Sequence, residues 1–369
     1  MDADVIVVGG GLVGSAIGYG LVRRDVRVLV LDGEDRAFRA SNANGGLVWL
    51  QGKGLNMSAY QQLSRDSADL WPDFSSELVE ASGVDIQFRQ TGGLKICFGE
   101  QEYEQRRALM MRWHNQQSDW EMIDRAALDK LLPKVKFGAD IAGASFGHRD
   151  CQLNPLYLLA ALHIGIGRRG GQVRGGATVH AIEADGQGGF TVKFGSEQAS
   201  AARIVIAAGL GSKAIAAEVG LNVPLRPQRG QMLITERMEP FLPIPLHAIS
   251  QTDQGTVMAG TTNEEAGYDS STTMEGLSGI SAMLVRAIPT MRDVKLVRQW
   301  AGLRIMTPDS APIYAESESH PGVFVAICHS GVTLAAVHAG LVAEAVVAGR
   351  LPASLDEFHQ RRFDVPKAA

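Results

Sequence analysis

The chain has 369 residues, long enough for two domains or one elaborate one with a large core, which excludes a single small module. Its 35 Lys and Arg against 40 Asp and Glu give a formal net charge of -5 with no long block of one sign, so no nucleic-acid partner is expected. Three cysteines, Cys97, Cys151 and Cys328, stand far apart without metal-ligand spacing, which excludes a disulfide framework and points to a reducing compartment.

The chain opens on DVIVVGGGLVGSAIGYGLVRRDVRVLVLD. A short β-branched run, Val5 to Val8, enters a turn Gly9-x-Gly11-x-x-Gly14, a helix follows, and a second strand closes on Asp32. This is the strand-turn-helix-strand context that a dinucleotide loop requires. Gly9 permits the tight turn, Gly11 lets a pyrophosphate approach the backbone, and Gly14 lets the helix pack closely on the strand. Asp32, about 20 residues on, is placed to hold ribose hydroxyls. The loop itself leaves NAD and FAD both open. Strand structure this close to the first residue leaves no room for a signal peptide.

The polar, glycine-rich stretch RASNANGGLVWLQGKG, residues 39 to 53, reads as a binding loop presenting Ser41, Asn44, Gly45 and Gly46, or else as an ordinary surface loop. The first α/β unit is expected to end near residue 70, with strands around Gly92-Gly93 in FRQTGGLKICF. A helix over about 154 to 170 follows. Its apolar run LYLLAALHIGIG is shorter than the roughly 20 residues a membrane helix needs, so no transmembrane segment is expected. The GIGRRGG at its end also spells a glycine motif but follows a helix, and reads as a helix terminus.

Strands are predicted in GATVHAIEADGQGGFTVKF and over 203 to 209, then a helix after Gly209 and Gly211 with no acid-terminated strand behind it. One dinucleotide site is therefore expected, not two. Strands return over 229 to 262, at about 294 to 303 and in GVFVAIC, and the chain closes on the apolar helix VTLAAVHAGLVAEAVVAG with Ser330 and Gly331 at its start. Arg304 lies in an almost uncharged run beside Trp300, where a guanidinium needs a partner: a substrate carboxylate, or Asp309 or another acid in a structural salt bridge. His329 is a site residue or a core histidine, and Lys53, Tyr60 and Tyr268 are pocket candidates or ordinary residues. The interleaving of nucleotide-type and strand-rich segments implies two discontinuous domains, 1–80, 145–222 and 300–369 against 81–144 and 223–299.

These pieces, in this order and over nearly the whole chain, resemble the D-amino-acid oxidase superfamily of FAD-dependent amine oxidases and dehydrogenases. The Gly9 to Gly14 loop with Asp32 matches its ADP-binding unit, IVIAAG its later flavin-contacting strand, and WAGLRIMTPDSAPI with CHSGVTLAA its C-terminal signature. RGQM and GTTNEEAGYDSSTT look closest to the branch of glycine oxidases, hydrogen cyanide synthase subunits, opine oxidase subunits and D-hydroxyproline dehydrogenase. The chain departs from the family pattern at Cys328, where Gly is usual before the histidine, and at Ile305, where Pro commonly follows the arginine.

The resemblance implies a mixed α/β fold, an FAD-binding Rossmann-like domain with an antiparallel-sheet substrate domain. It implies non-covalent FAD, since no cysteine stands near Gly302, held by Gly9, Gly11, Leu12, Val13, Gly14, Asp32 and Gly33. Ser41, Asn44, Gly45 and Gly46 would join them, with Val179, Ala208, Gly209, Gly302, Ser330, Gly331, Val332 and Thr333. It also implies a small amino or imino acid substrate, D-hydroxyproline in its narrowest form, gripped by Arg304 with Lys53, Tyr60 and Tyr268 nearby. His329 would join Arg304 in catalysis, and hydride would pass from the α-carbon to flavin N5 to give an imine. The alternative is the FAD-carrying subunit of an assembly whose partners bear iron-sulfur or flavin groups. A cytoplasmic protein is expected, at most peripheral to the inner membrane through such partners.

Overall fold

A computed structural model describes residues 1–33, 40–114 and 119–364; Arg39, which begins the glycine-rich loop, lies outside them. The run ADVIVV forms the strand Ala3–Val8, buried along almost its whole length, and Val28–Leu31 pairs with it in parallel, Val5 opposite Val28 and Val8 opposite Leu31. The helix Leu12–Val22 crosses between them. Parallel strands buried on both faces read as continuous apolar runs, which is why this unit is legible in the sequence. Glu197–Ile206 pairs in parallel on the other side, followed outward by Val323–Ile327 and the antiparallel Ile313–Glu316. The hairpin Val179–Ala184 and Phe190–Phe194 joins the same sheet through Glu197–Ile206.

The second layer is antiparallel. Arg226–Arg237 pairs along ten residues with Leu296–Met306 and on its other edge with Thr256–Gly260. Gly93–Phe98 and Trp120–Asp124 flank Ile141–Gly147, and a bridge from Leu94 to Leu246 links the two groups. Leu296–Met306 runs unbroken through residue 300.

Several elements differ from expectation. A 25-residue helix, Ser58–Ser82, spans the expected end of the first α/β unit near residue 70, and a second helix, Gly99–His114, follows it. Pro72 lies inside the first, which masks it to a sequence reading, since proline removes a helix donor. Burial of Trp71, Phe74 and Leu78 holds that helix in place. FRQTGGLKICF yields one strand, from Gly93; Arg89 makes only an isolated bridge to Gln152. The predicted terminal helix is broken: residues 331–334 form an irregular turn, and helical structure from Ala335 to Ala348 is interrupted by a wider π segment, His338–Val342. Among the described residues no single helix is long and apolar enough to cross a membrane.

Candidate active site

A cleft of about 970 Å³ runs between the two layers. At one end lies the glycine loop. Gly9 has φ +112°, and a Cβ there would sit 2.4 Å from the Ala207 carbonyl oxygen; a Cβ on Gly14 would sit 2.0 Å from the Gly9 oxygen. Neither position admits a side chain. The Gly10 N–H donates to Asp32 Oδ1 at 3.1 Å and the Leu12 N–H to Ser41 Oγ at 2.9 Å. Asp32 and Ser41 thus shape the loop as well as lining the cleft. Behind it, His163 Nε2 lies 2.9 Å from both the Gly10 carbonyl and Ser15 Oγ.

Along the cleft come Leu12, Val13, Gly33, Val179, Ala208 and Gly209, then Gly45, Gly46 and Gly302. Asn44 also faces it, yet its amide is turned into its own loop, donating to Ala40 and Ser41 carbonyls and accepting from the Gly46 N–H at 2.9 Å. Gly302 is packed so tightly that a Cβ would fall 2.4 Å from Ala43 Cβ.

The far end is cationic. Arg304 stands opposite Gln228 in the sheet, and its guanidinium donates to Thr261 Oγ1 at 2.7 Å, the Thr262 carbonyl at 2.9 Å and the Arg229 carbonyl at 3.3 Å. Gly230 leaves room for it, since a Cβ there would lie 2.5 Å from Nη2. Among the described residues no carboxylate lies within 4.0 Å of Arg304. Glu264, whose charge favours the cation, is engaged with Arg229, Gln231 and Thr262, and Asp309 is engaged with Arg362 at 2.8 Å. The salt bridge to Asp309 considered for Arg304 is not formed. Burial pushes the Arg304 guanidinium below its ordinary value, as expected of a cation set in protein without an anion.

Lys53 reaches the same end, donating to Ser330 Oγ at 2.5 Å, and the Tyr60 hydroxyl lies 2.7 Å from that oxygen. The helix expected to start at Ser330 and Gly331 begins instead at Ala335, and the Ser330 hydroxyl is held by Lys53 and Tyr60. Tyr60 is buried behind Ser330 and does not line the cleft. Tyr268, 62% exposed, stands at the mouth on a loop tied down by Arg229, which grips Glu264 and Asp269. Gly331, Val332 and Thr333 line the wall, and Thr333 Oγ1 accepts from the Trp49 N–H at 3.2 Å.

His329 is exposed to the open cleft yet ringed by protein, and that surrounding protein, with the Lys53 and Arg304 cations, depresses its imidazole to about 3. It is neutral at physiological pH. Cys328 beside it has its thiol pushed up to about 12 by burial, so it offers no thiolate.

The family model described as FAD dependent oxidoreductase (DAO) matches residues 4–345. The chain belongs to this family of FAD-dependent oxidoreductases. It is 37% identical over 375 residues to an opine oxidase subunit of Rhizobium meliloti, covering 100% of this chain and 99% of that protein. It is 26% identical to the hydrogen cyanide synthase subunit HcnC of Pseudomonas aeruginosa, over 84% of each. The crystal structure of glycine oxidase from Geobacillus kaustophilus superposes with a TM-score of 0.89 at 25% identity, covering 97% of this chain and 98% of that one.

The residues present fit the family's cofactor. Gly9 and Gly14 admit no side chain, which lets the turn tighten and the helix close on it, and Gly11 and Val13 at the start of the helix from Leu12 line the cleft where an anion would meet backbone, the Leu12 N–H itself being taken by Ser41. Of the cofactor residues expected of this FAD-dependent oxidoreductase, all but Gly14 line the cleft, and Gly14 acts from behind by letting the helix close on the turn. Sequence reasoning missed His163, which braces the loop, and Trp49 and His247, which face the cationic end. His247 packs edge-on against Trp49 at 5.1 Å and is depressed to about 3, chiefly by burial and then by Lys95, Arg106 and Lys53. A histidine following Leu246 in a proline-rich turn carries no local signal of that role.

Proposed function

We propose that the chain oxidises a small amino or imino acid, with a D-hydroxyproline-like cyclic secondary amine as the narrowest form, to the corresponding imine. The observation that carries this reading is Arg304: a half-buried guanidinium facing a cleft, held by neutral oxygens, with every nearby described carboxylate committed elsewhere. A carboxylate accepting two parallel hydrogen bonds is the partner such a fork fits.

Bound FAD supplies the two-electron acceptor. Arg304 fixes the substrate carboxylate and so the direction in which the α-carbon hydrogen points. Loss of that hydrogen with its electron pair requires the nitrogen lone pair to form the C=N bond, so the amine must be neutral. Arg304 and Lys53 disfavour a third positive charge and lower the ammonium pKa in place. Neutral His329 and His247 add no charge against that effect. No acid-base pair is needed.

The test is an anaerobic screen of purified FAD-loaded chain against D- and L-amino acids, hydroxyprolines and N-carboxyalkyl amino acids, read as bleaching of the flavin band. Bleaching by at least one member supports the proposal, and no bleaching by any sinks it. A second reading has its own support, the full-length similarity to a protein named as a subunit: the chain is the FAD-carrying part of an opine or amino-acid dehydrogenase assembly. Steady turnover of the isolated chain with an artificial dye argues for self-sufficiency, and reduction without turnover argues for the assembly.

A further inference from the structure

We propose that Asp150 is a positioning residue for the substrate end of the cleft, its ionised carboxylate holding the Trp49–Lys53 segment in register. The proposal rests on the reading of that end as an amino-acid site. Asp150 follows the strand Ile141–Gly147 and touches no part of the cleft. Its side chain is enclosed between two glycines: a Cβ on Gly93 would lie 2.8 Å from Asp150 Cβ, and one on Gly147 would lie 2.5 Å from Oδ2. Oδ1 accepts from the Leu50 N–H at 2.7 Å, and Oδ2 accepts from Gln51 Nε2, also at 2.7 Å. Leu50 and Gln51 lie directly between Trp49 and Lys53, both of which line the cleft.

The direction of this network is fixed by a residue that can only donate. Arg106 Nη2 donates to Gln51 Oε1 at 3.1 Å and its Nε to Ser145 Oγ at 2.8 Å, while Ser145 Oγ donates to the same Gln51 oxygen at 2.6 Å. A guanidinium has no acceptor, so the Gln51 oxygen must face it and the Gln51 NH₂ must face Asp150 and the Gly93 carbonyl, 2.9 Å away. Asp150 therefore meets two N–H donors and no acceptor among these partners, and the carboxylate form accepts both in charge-assisted hydrogen bonds. Protonation places an O–H against an N–H and releases one end of the clamp.

The group is poised to do this. Burial raises the Asp150 carboxyl to about 7, against the lowering effects of the Gln51 and Leu50 hydrogen bonds and the Lys53 and Arg106 charges. Its other ionisable surroundings are neutral or balanced. The Cys151 thiol next to it is pushed up to about 12, His247 is depressed to about 3, and Lys95, on the strand with Gly93, lies among Arg106 and Glu102.

The test uses FAD-loaded wild type and Asp150→Asn. The amide presents an NH₂ to the Gln51 NH₂ and cannot accept twice. Expected are a KM raised about tenfold or more with kcat changed less than about threefold, as when positioning of bound substrate is lost. The acid limb of kcat/KM near pH 7 in the wild type should vanish in the variant, and residues 47–53 should exchange amide hydrogens faster while the Ala3–Val8 strand does not. Unchanged KM and an unchanged acid limb overturn the proposal. Should Asp150→Asn not fold, wild type alone decides. After correction for intrinsic rate, protection of the Leu50 amide must fall as pH drops through about 7, and pH-independent protection overturns the proposal. That readout needs no turnover, so it stands apart from the screen for a substrate.

Discussion

Arg362 grips both carboxylate oxygens of Asp309, at 2.8 and 3.1 Å, and in doing so removes the acid nearest in sequence from the reach of Arg304. The two arginines have different employments because their settings differ. Arg362 also donates to the Ala311 and Pro312 carbonyls and is spent on the fold. Arg304 is bonded to one hydroxyl and two carbonyls, none of which can neutralise it.

Arg304→Ala should raise KM so that kcat/KM falls about 10²- to 10³-fold, the loss of a charged hydrogen-bonded partner worth about 3–4 kcal/mol. Arg304→Lys should recover part of this, because a point charge replaces the attraction but not the fork. Steady-state kinetics decide the matter, and unchanged KM in the alanine variant contradicts a carboxylate at this position.

Gly230→Ala separates the substrate grip from the cofactor. Its methyl group would meet Arg304 Nη2 at 2.5 Å and Thr261 Oγ1 at 2.7 Å, displacing the guanidinium by a fraction of an ångström to about one. Misplacement on that scale is expected to cost roughly tenfold or more in kcat/KM. Flavin content, read from the visible spectrum per mole of protein, should equal that of wild type.

Gly14→Ala tests the other end. A methyl 2.0 Å from the Gly9 carbonyl oxygen forces the helix off the turn. Even about 2 kcal/mol of lost complementarity weakens cofactor binding roughly 30-fold. The variant should purify with little colour, and a full complement of FAD would contradict the cradle.

Acid stability has a component assignable to His338. Fully buried, with Nε2 2.9 Å from the Tyr314 hydroxyl, it is depressed to about 3 by burial. Above the ordinary value of 6.5 both folded and unfolded chains carry it neutral and its contribution is complete; as pH falls from 6.5 toward 3 only the unfolded chain takes up the proton, and stability is lost. Asp150 works with the opposite sign: its raised value makes its contribution complete below 3.8 and lost as pH rises from there to about 7. His338→Gln should flatten the fall of denaturant-measured stability between roughly pH 6 and 4, and Asp150→Asn should steepen it.

What can be read from the sequence is what is written locally. The glycine loop and Asp32 are separated by one helix and one strand, and Arg304 announces itself as a charge in an apolar run. Residues whose role depends on distant partners are invisible: His163 meets Gly10 across 153 positions, and Leu50 meets Asp150 across 100. Ser330 misleads for the same reason. A serine before an apolar run favours a cap, but Lys53 and Tyr60, 277 and 270 residues away, claim its hydroxyl. The helix Ser58–Ser82 is hidden because Pro72 argues locally against it, while the burial that favours it comes from elsewhere in the fold.

The cleft takes one wall from residues 9–13 and another from residues 326–333. During synthesis residues 9–13 emerge long before residues 326–333, so the nucleotide loop waits for its opposite wall. Loading of FAD should wait with it, and nascent fragments ending before residue 326 should leave the ribosome without cofactor.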